Sequence, residues 1–227
     1  MKVTSSFQKA GFRIALITFL LTFFSLQNFA QLSGTYTIDP AGGNFAANNC
    51  KSFTEAVDSL ISQGISGAVT FNVADGTYNE TFVLNEIIGS SVSNTITFQS
   101  QSQDSTKVIV NYTTSTNNRF VFQINGTDYV TFKQLTFQSL GSDYPIVLNI
   151  NLTATNIIIE NCRFIGYNTT SSYDYYTLIF SYDDQTDNIL IQNNTFSNGS
   201  FGVRIEGYNS STLSTGTQIL NNEFIDQ

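Results

Sequence analysis

Tyr182, Asp183, Asp184 and Asp187 fall within six consecutive residues. Two adjacent carboxylates with a third close by can ligate a hard cation such as calcium or supply acid/base chemistry. The competing reading is a polar turn between strands. Further on, Arg204 and Glu206 alternate with Val203 and Ile205, so the two charges share one face of an extended segment. They are either catalytic candidates or an exposed ion pair. Tyr167, Tyr173, Tyr175 and Tyr176 crowd a loop of ten residues, with Tyr182 just beyond it. Rings with polar tips stack on the flat faces of sugars, which makes these five tyrosines candidate ligand contacts; packing down onto the body of the protein is the other reading. These residues call for no cofactor other than calcium at Asp183, Asp184 and Asp187.

Composition removes whole classes of chemistry. The 227 residues contain no His and no Trp, so neither a Ser-His nor a Cys-His nucleophile pair can be built. Charged residues are only 11% of the chain, while Phe and Tyr number 20 and 11. This balance suits a β-rich extracellular protein rather than a helical bundle or a charged disordered tail. Three of the nine basic residues, Lys2, Lys9 and Arg13, lie near the N-terminus, leaving six against 17 acidic ones. Six scattered cations cannot make the basic face that a nucleic-acid partner requires.

Residues 1–30 have the pattern of a secretory signal. The basic start is followed by an apolar run from Ile14 to Leu26, interrupted by Thr18, Thr22 and Ser25, and Ala30 offers a small residue at the cut. The run is too short to span a bilayer, so no membrane span is expected once the signal is removed. Cleavage before Gln31 and a secreted or cell-surface location follow. An exported chain permits a disulfide, but Cys50 and Cys162 lie in distant parts of the pattern and read as two separate buried thiols.

The elements that must position the candidate residues are legible. Ser52-Phe53-Thr54-Glu55 has the form of a capping box, and Phe53, Ala56, Val57, Leu60 and Ile61 make one apolar stripe, predicting a helix over 52–63 inside an N-terminal cap, 31–66. Gly64 stops it. Val69, Phe71 and Val73 alternate as a strand, Asp75-Gly76 reads as a turn, and Thr81 begins the next strand. From Asp128 the chain repeats, with Phe137, Phe164, Phe196 and Phe224 spaced by 27, 32 and 28 residues. One short strand, a bend holding Gln134, Asn161, Asn193 or Asn221, and a second strand make each unit, with a third strand following. That period is the signature of a β-solenoid. Asn tolerates the left-handed backbone of a tight bend, and its side-chain amide is expected to bond to the next turn. The phenylalanines are expected to stack inside the coil. Residues 67–227 thus predict an all-β solenoid of roughly five to six turns.

Ser52–Leu60, Gly67–Val73, Asp75–Glu80 and Asn94–Ser100 resemble the N-terminal region of pectin-lyase-like right-handed parallel β-helix proteins, and Gly76-x-Tyr78-x-Glu80 is similar to the G-x-Y-x-E near the start of pectin methylesterases. The likeness covers about residues 32–227 and extends to large secreted β-helix proteins that often end in a type IX secretion sorting domain. The resemblance implies that residues 67–227 form a right-handed parallel β-helix, and it implies fold more than chemistry. The Q-D-T-L, D-F-I-F-G and L-G-R-P-W elements of the esterases are missing, as are the N-T-D, G-D-D and G-H-G signatures of polygalacturonases and the R-x-P-x-x-R setting of pectate lyases.

The sequence therefore reads as a secreted or surface-displayed, non-catalytic module that binds extracellular polysaccharide or has a structural role. The alternative is a carbohydrate-active enzyme, a lyase or glycoside hydrolase, with catalytic groups partly outside this fragment. The last repeat, ending at Asn221 to Gln227, carries no cap, which leads us to expect truncation at the C-terminus, with further turns or another subunit covering Phe224.

Overall fold

The computed structural model describes residues 30–181, 186–207 and 213–227. Three parallel sheets wind around one core. The first has eight strands: Leu32–Ile38, Asn49–Cys50, Ile65–Val73, Ile96–Ser100, Val130–Lys133, Thr155–Glu160, Asp187–Gln192 and Gln218–Leu220. The second has six: Gly76–Asn79, Val108–Tyr112, Thr136–Ser139, Arg163–Ile165, Thr195–Ser197 and Glu223–Ile225. The third has five: Phe82–Asn85, Phe120–Asn125, Ile146–Asn151, Thr177–Ser181 and Phe201–Ile205. Each turn contributes one strand to each sheet, giving a parallel β-helix of about five turns. Among the described residues no helix is long and apolar enough to cross a membrane.

The turns stay in register because each bend is built alike. Between the first and second sheets, Gln134, Asn161, Asn193 and Asn221 all have φ between 53° and 57°. Between the third and first sheets, Tyr129, Asn156, Asn188 and Gly216 hold the left-handed position, with φ of 55–58° for the first three and 70° for the glycine. A single left-handed residue between extended ones turns the strand sharply, and Asn and Gly meet that demand at least cost. The freed amides bond to the next turn: Asn161 N donates to Gln192 O (3.2 Å) and Asn193 N to Leu220 O (3.0 Å).

The expected side-chain ladder lies one residue later than the sequence suggests. Asn194, not Asn193, turns its amide inward. Its Oδ1 accepts from Cys162 N (2.8 Å), its Nδ2 donates to Ile159 O (2.9 Å), and its own N–H donates to Asn222 Oδ1 (2.8 Å). Asn222 Nδ2 repeats the bond to Ile191 O (2.8 Å). The left-handed backbone of the first Asn rotates its side chain outward, leaving the second to satisfy the buried backbone of the bend. Cys162 occupies the same column one turn earlier. Cys50 and Cys162 are both free and buried, and burial pushes each thiol up to about 12.

Inside, Phe71, Phe98 and Phe132 stack at 4.9 and 5.3 Å between centroids, and Phe137, Phe164, Phe196 and Phe224 at 5.6, 5.2 and 5.0 Å. Phe224 completes its stack but remains 48% exposed.

Helix α1, Phe53–Gln63, lies against the solenoid. Ser52 Oγ accepts from Glu55 N (3.0 Å), while Glu55 reaches back to Lys51 N (2.6 Å) rather than to Ser52. Phe53, Ala56, Val57 and Leu60 are buried, whereas Ile61 at the end of the stripe is 38% exposed. The residues preceding the helix do more than cap: Leu32–Ile38 pairs along Ile65–Val73 as a full member of the first sheet. Gly76 begins a strand instead of a turn, because its N–H bonds to Lys107 O one turn on (2.8 Å).

The Gly76-x-Tyr78-x-Glu80 segment has a structural role. The buried Tyr78 hydroxyl lies between the carbonyls of Ile38 (3.1 Å) and Ala74 (2.9 Å), and burial, with Asp39, Glu80 and Asp75 nearby, pushes it up to about 12. The Glu80 carboxylate accepts from Phe53 N (2.9 Å), Thr54 N (2.8 Å) and Thr54 Oγ1 (2.7 Å), clamping the N-terminus of α1 where the helix dipole favours an anion. We expect Glu80→Ala to destabilise the protein by about 1–2 kcal/mol. An unchanged melting temperature would show that the clamp contributes nothing.

Candidate functional site

Side chains pointing outward from the third sheet line up because its strands are in register. Gln123 pairs laterally with Asn149, Asn149 with Phe180, and Phe180 with Arg204. A neighbouring column holds Asn85, Asn125 and Asn151, in which Asn125 Nδ2 donates to Asn85 Oδ1 (2.8 Å). Such columns repeat about every 4.8 Å, the spacing of adjacent strands.

Three loops, each leading into a third-sheet strand from a successive turn, rise beside this face. They bring Asn117 and Arg119 from the first, Tyr144 from the second, and Asp174 and Tyr175 from the third. With Phe120, Gln123, Ile146, Asn149, Asn151 and Phe180 they line a cleft of about 630 Å³. Arg119 lies 4.2 Å above the Tyr144 ring, with Nε donating to Thr116 O (3.3 Å). Tyr144 and Tyr175 meet at 4.5 Å, and Tyr173 continues from Tyr175 at 6.2 Å. The result is an aromatic wall ending in one cation, beside a bed formed by carboxamides and the Phe180 ring.

This arrangement suits a polyhydroxylated ligand. Carboxamides both donate and accept, so they match hydroxyl groups without fixing a charge. Tyrosine rings offer apolar faces to the C–H side of a sugar while their hydroxyls stay wet. Among the described residues the cleft lining carries a single carboxylate, Asp174. It is committed to Arg204 Nη1 at 2.5 Å, and Arg204 Nε also binds Glu206 at 2.5 Å. Bonding to Asp174 first, and then to Glu206, raises the guanidinium above its ordinary value, so Arg204 is a fixed cation.

The sequence candidates separate accordingly. Tyr175 lines the cleft, and Tyr173 extends the wall outside it. Tyr167 and Tyr176 face each other at 6.3 Å and are not among the lining residues. Arg204 and Glu206 form the ion pair expected of neighbours on an outer face, but Arg204 also reaches across to the tyrosine loop. Asp187 is spent on architecture: its Oδ1 accepts from Thr215 N (2.6 Å) and Thr215 Oγ1 (2.9 Å), just as Asp128 Oδ1 accepts from Thr155 N and Oγ1 (2.7 and 2.9 Å). Tyr182, Asp183 and Asp184 lie outside the described residues. Among the described residues, no three His, Cys, Asp or Glu side chains converge as a metal site.

Sequence reasoning passed over Arg119, Gln123, Tyr144, Asn149 and Phe180. A signal for three of them was present: Gln123, Asn149 and Phe180 each hold the same outward position in successive third strands. For Tyr144 and Arg119, in loops of different length, the sequence carries no such marker.

Solved structures that this chain resembles include pectin methylesterases. One, crystallised in complex with hexasaccharide VII, is 10% identical with a TM-score of 0.54, over 77% of this chain and 53% of that one. The Aspergillus niger pectin methylesterase is 14% identical with a TM-score of 0.54, over 86% and 68%. The rice weevil enzyme is 12% identical with a TM-score of 0.52, over 90% and 69%. The chain thus spans about half the length of the first and about two thirds of the others. No protein-family model and no curated protein matches the chain. At this identity the likeness establishes a pectin-methylesterase-like parallel β-helix fold.

Proposed function

We propose that this chain is a non-catalytic polysaccharide-binding module of an exported protein, and that the cleft over the third sheet is its glycan site. The observation that carries this reading is the Tyr144–Tyr175 wall facing the carboxamides of Gln123, Asn149 and Asn151. Export is supported by the basic and apolar pattern of residues 1–30. A polysaccharide ligand draws support from a fold neighbour crystallised with a hexasaccharide. The binding reading is favoured over an enzyme because, among the described residues, the one carboxylate lining the cleft is paired with Arg204.

Affinity electrophoresis and calorimetry of residues 31–227 against pectins of graded esterification, xylan, mannan and β-glucan test the proposal. Binding to at least one polymer is expected, weakened roughly tenfold or more by Tyr175→Ala, since stacked aromatic contacts of this kind contribute about 1–3 kcal/mol. Binding indifferent to Tyr175→Ala would displace the site. Product release abolished by Asp174→Asn would replace binding with catalysis.

A further inference from the structure

The tyrosine loop is held by the turn that follows it. Its ends are fixed by backbone: Gly166 N donates to Ser197 O (2.9 Å), Gly199 N to Tyr167 O (3.1 Å), and Ser200 N to Tyr176 O (2.8 Å). Its middle is tied by side chains. Ser200 Oγ donates to Ser171 O, and Arg204 Nη1 binds the Asp174 carboxylate at 2.5 Å. Asp174 sits directly between Tyr173 and Tyr175. The Arg204 guanidinium also lies 5.6 Å from the Phe180 ring on the cleft bed and is steadied by Glu206 at 2.5 Å. One cation therefore touches the cleft bed and holds the segment that carries the wall.

We propose that Arg204 is a positioning residue: from outside the cleft, it fixes the Tyr173–Tyr175 segment at the distance from the third sheet that a sugar ring needs. The inference rests on the cleft being the glycan site. An ion pair whose acid is about half exposed adds little to folding stability, because water and salt screen it. Its effect on binding is larger, since a loop left free must be ordered by the ligand each time it binds. Arg204 satisfies the geometric requirement with its planar fork, one nitrogen to each carboxylate; lysine offers a single point of attachment.

Three variants test this: Arg204→Met, Arg204→Lys and Glu206→Gln, the last two guarding against a simple loss of fold. Chymotrypsin cleavage within residues 167–176 reports the loop directly, without any ligand. Calorimetry with the polymer bound by the unaltered protein reports the cleft. Arg204→Met should raise the cleavage rate and weaken binding about tenfold while the melting temperature stays within about 2 °C. Arg204→Lys should fall between it and the unaltered protein, and Glu206→Gln should shift both readouts the same way. Unaltered loop cleavage in Arg204→Met would overturn the inference. So would full affinity in that variant alongside its loss in Tyr175→Ala. Failure of the unaltered chain to bind any polymer would instead count against the cleft as a glycan site, and the cleavage rates would still decide whether Arg204 holds the loop.

Discussion

Phe122→Ala is expected to cost about 3–5 kcal/mol and to lower the melting temperature by roughly 6–20 °C. The ring is fully buried and touches three others, Phe82 at 5.4 Å, Phe132 at 5.0 Å and Phe137 at 4.2 Å between centroids. It thus joins the first, second and third sheets across two turns. Truncation leaves a cavity bounded by strands in continuous hydrogen-bonded ladders, which cannot collapse without breaking register. Phe224→Ala makes the control. Its ring is half exposed with Phe196 as its aromatic neighbour, so the loss should stay near or below about 1 kcal/mol. Equal losses at the two positions would mean that the stack does not act as a core.

Asn194→Leu is expected to cost about 3 kcal/mol, although the two side chains are similar in size. The substitution strands Cys162 N and Ile159 O in a site where Asn194 is 2% exposed. Each buried group without a partner costs about 1–3 kcal/mol, and gains from a larger apolar side chain offset only part of it. Asn194→Cys should cost less, since Cys162 fills the same column one turn earlier with long sulfur contacts to Phe132 O (3.5 Å) and Glu160 O (3.4 Å). Thermal or chemical melts of the two variants check the order. A cysteine variant less stable than the leucine one would show that shape, rather than backbone satisfaction, governs this column.

A second polar ladder shows how the outer faces are managed. On the first sheet, Lys133 Nζ binds Glu160 at 2.9 Å and Gln192 Nε2 donates to the same carboxylate at 2.9 Å. Partial burial opposes ionisation of Glu160, but these two bonds and the Lys133 charge outweigh it and hold the carboxyl below its ordinary value. The pairing satisfies the Glu160 carboxylate on the outer face of the first sheet. The third sheet differs: its outward amides at Gln123 and Asn149 stand at the floor of an open cleft.

By itself the sequence determined the β-helix, its helix at Ser52 and its aromatic interior. The reason is that these depend on local preferences repeated at a fixed period. Asn161, Asn193 and Asn221 mark bends because the left-handed backbone belongs to a single residue, and Phe137, Phe164 and Phe196 mark the interior because strand alternation fixes which way each points. Only the tertiary structure decided which Asn of each pair turns inward, since that depends on the bend's rotation and on the carbonyl one turn away. It also decided the cleft. Arg119, Tyr144 and Tyr175 come from three turns, in loops whose lengths follow no period, and Asp174 meets Arg204 across 30 residues of chain. Their contact is set by how far each loop rises above a sheet whose register is fixed elsewhere, a distance that no local preference encodes.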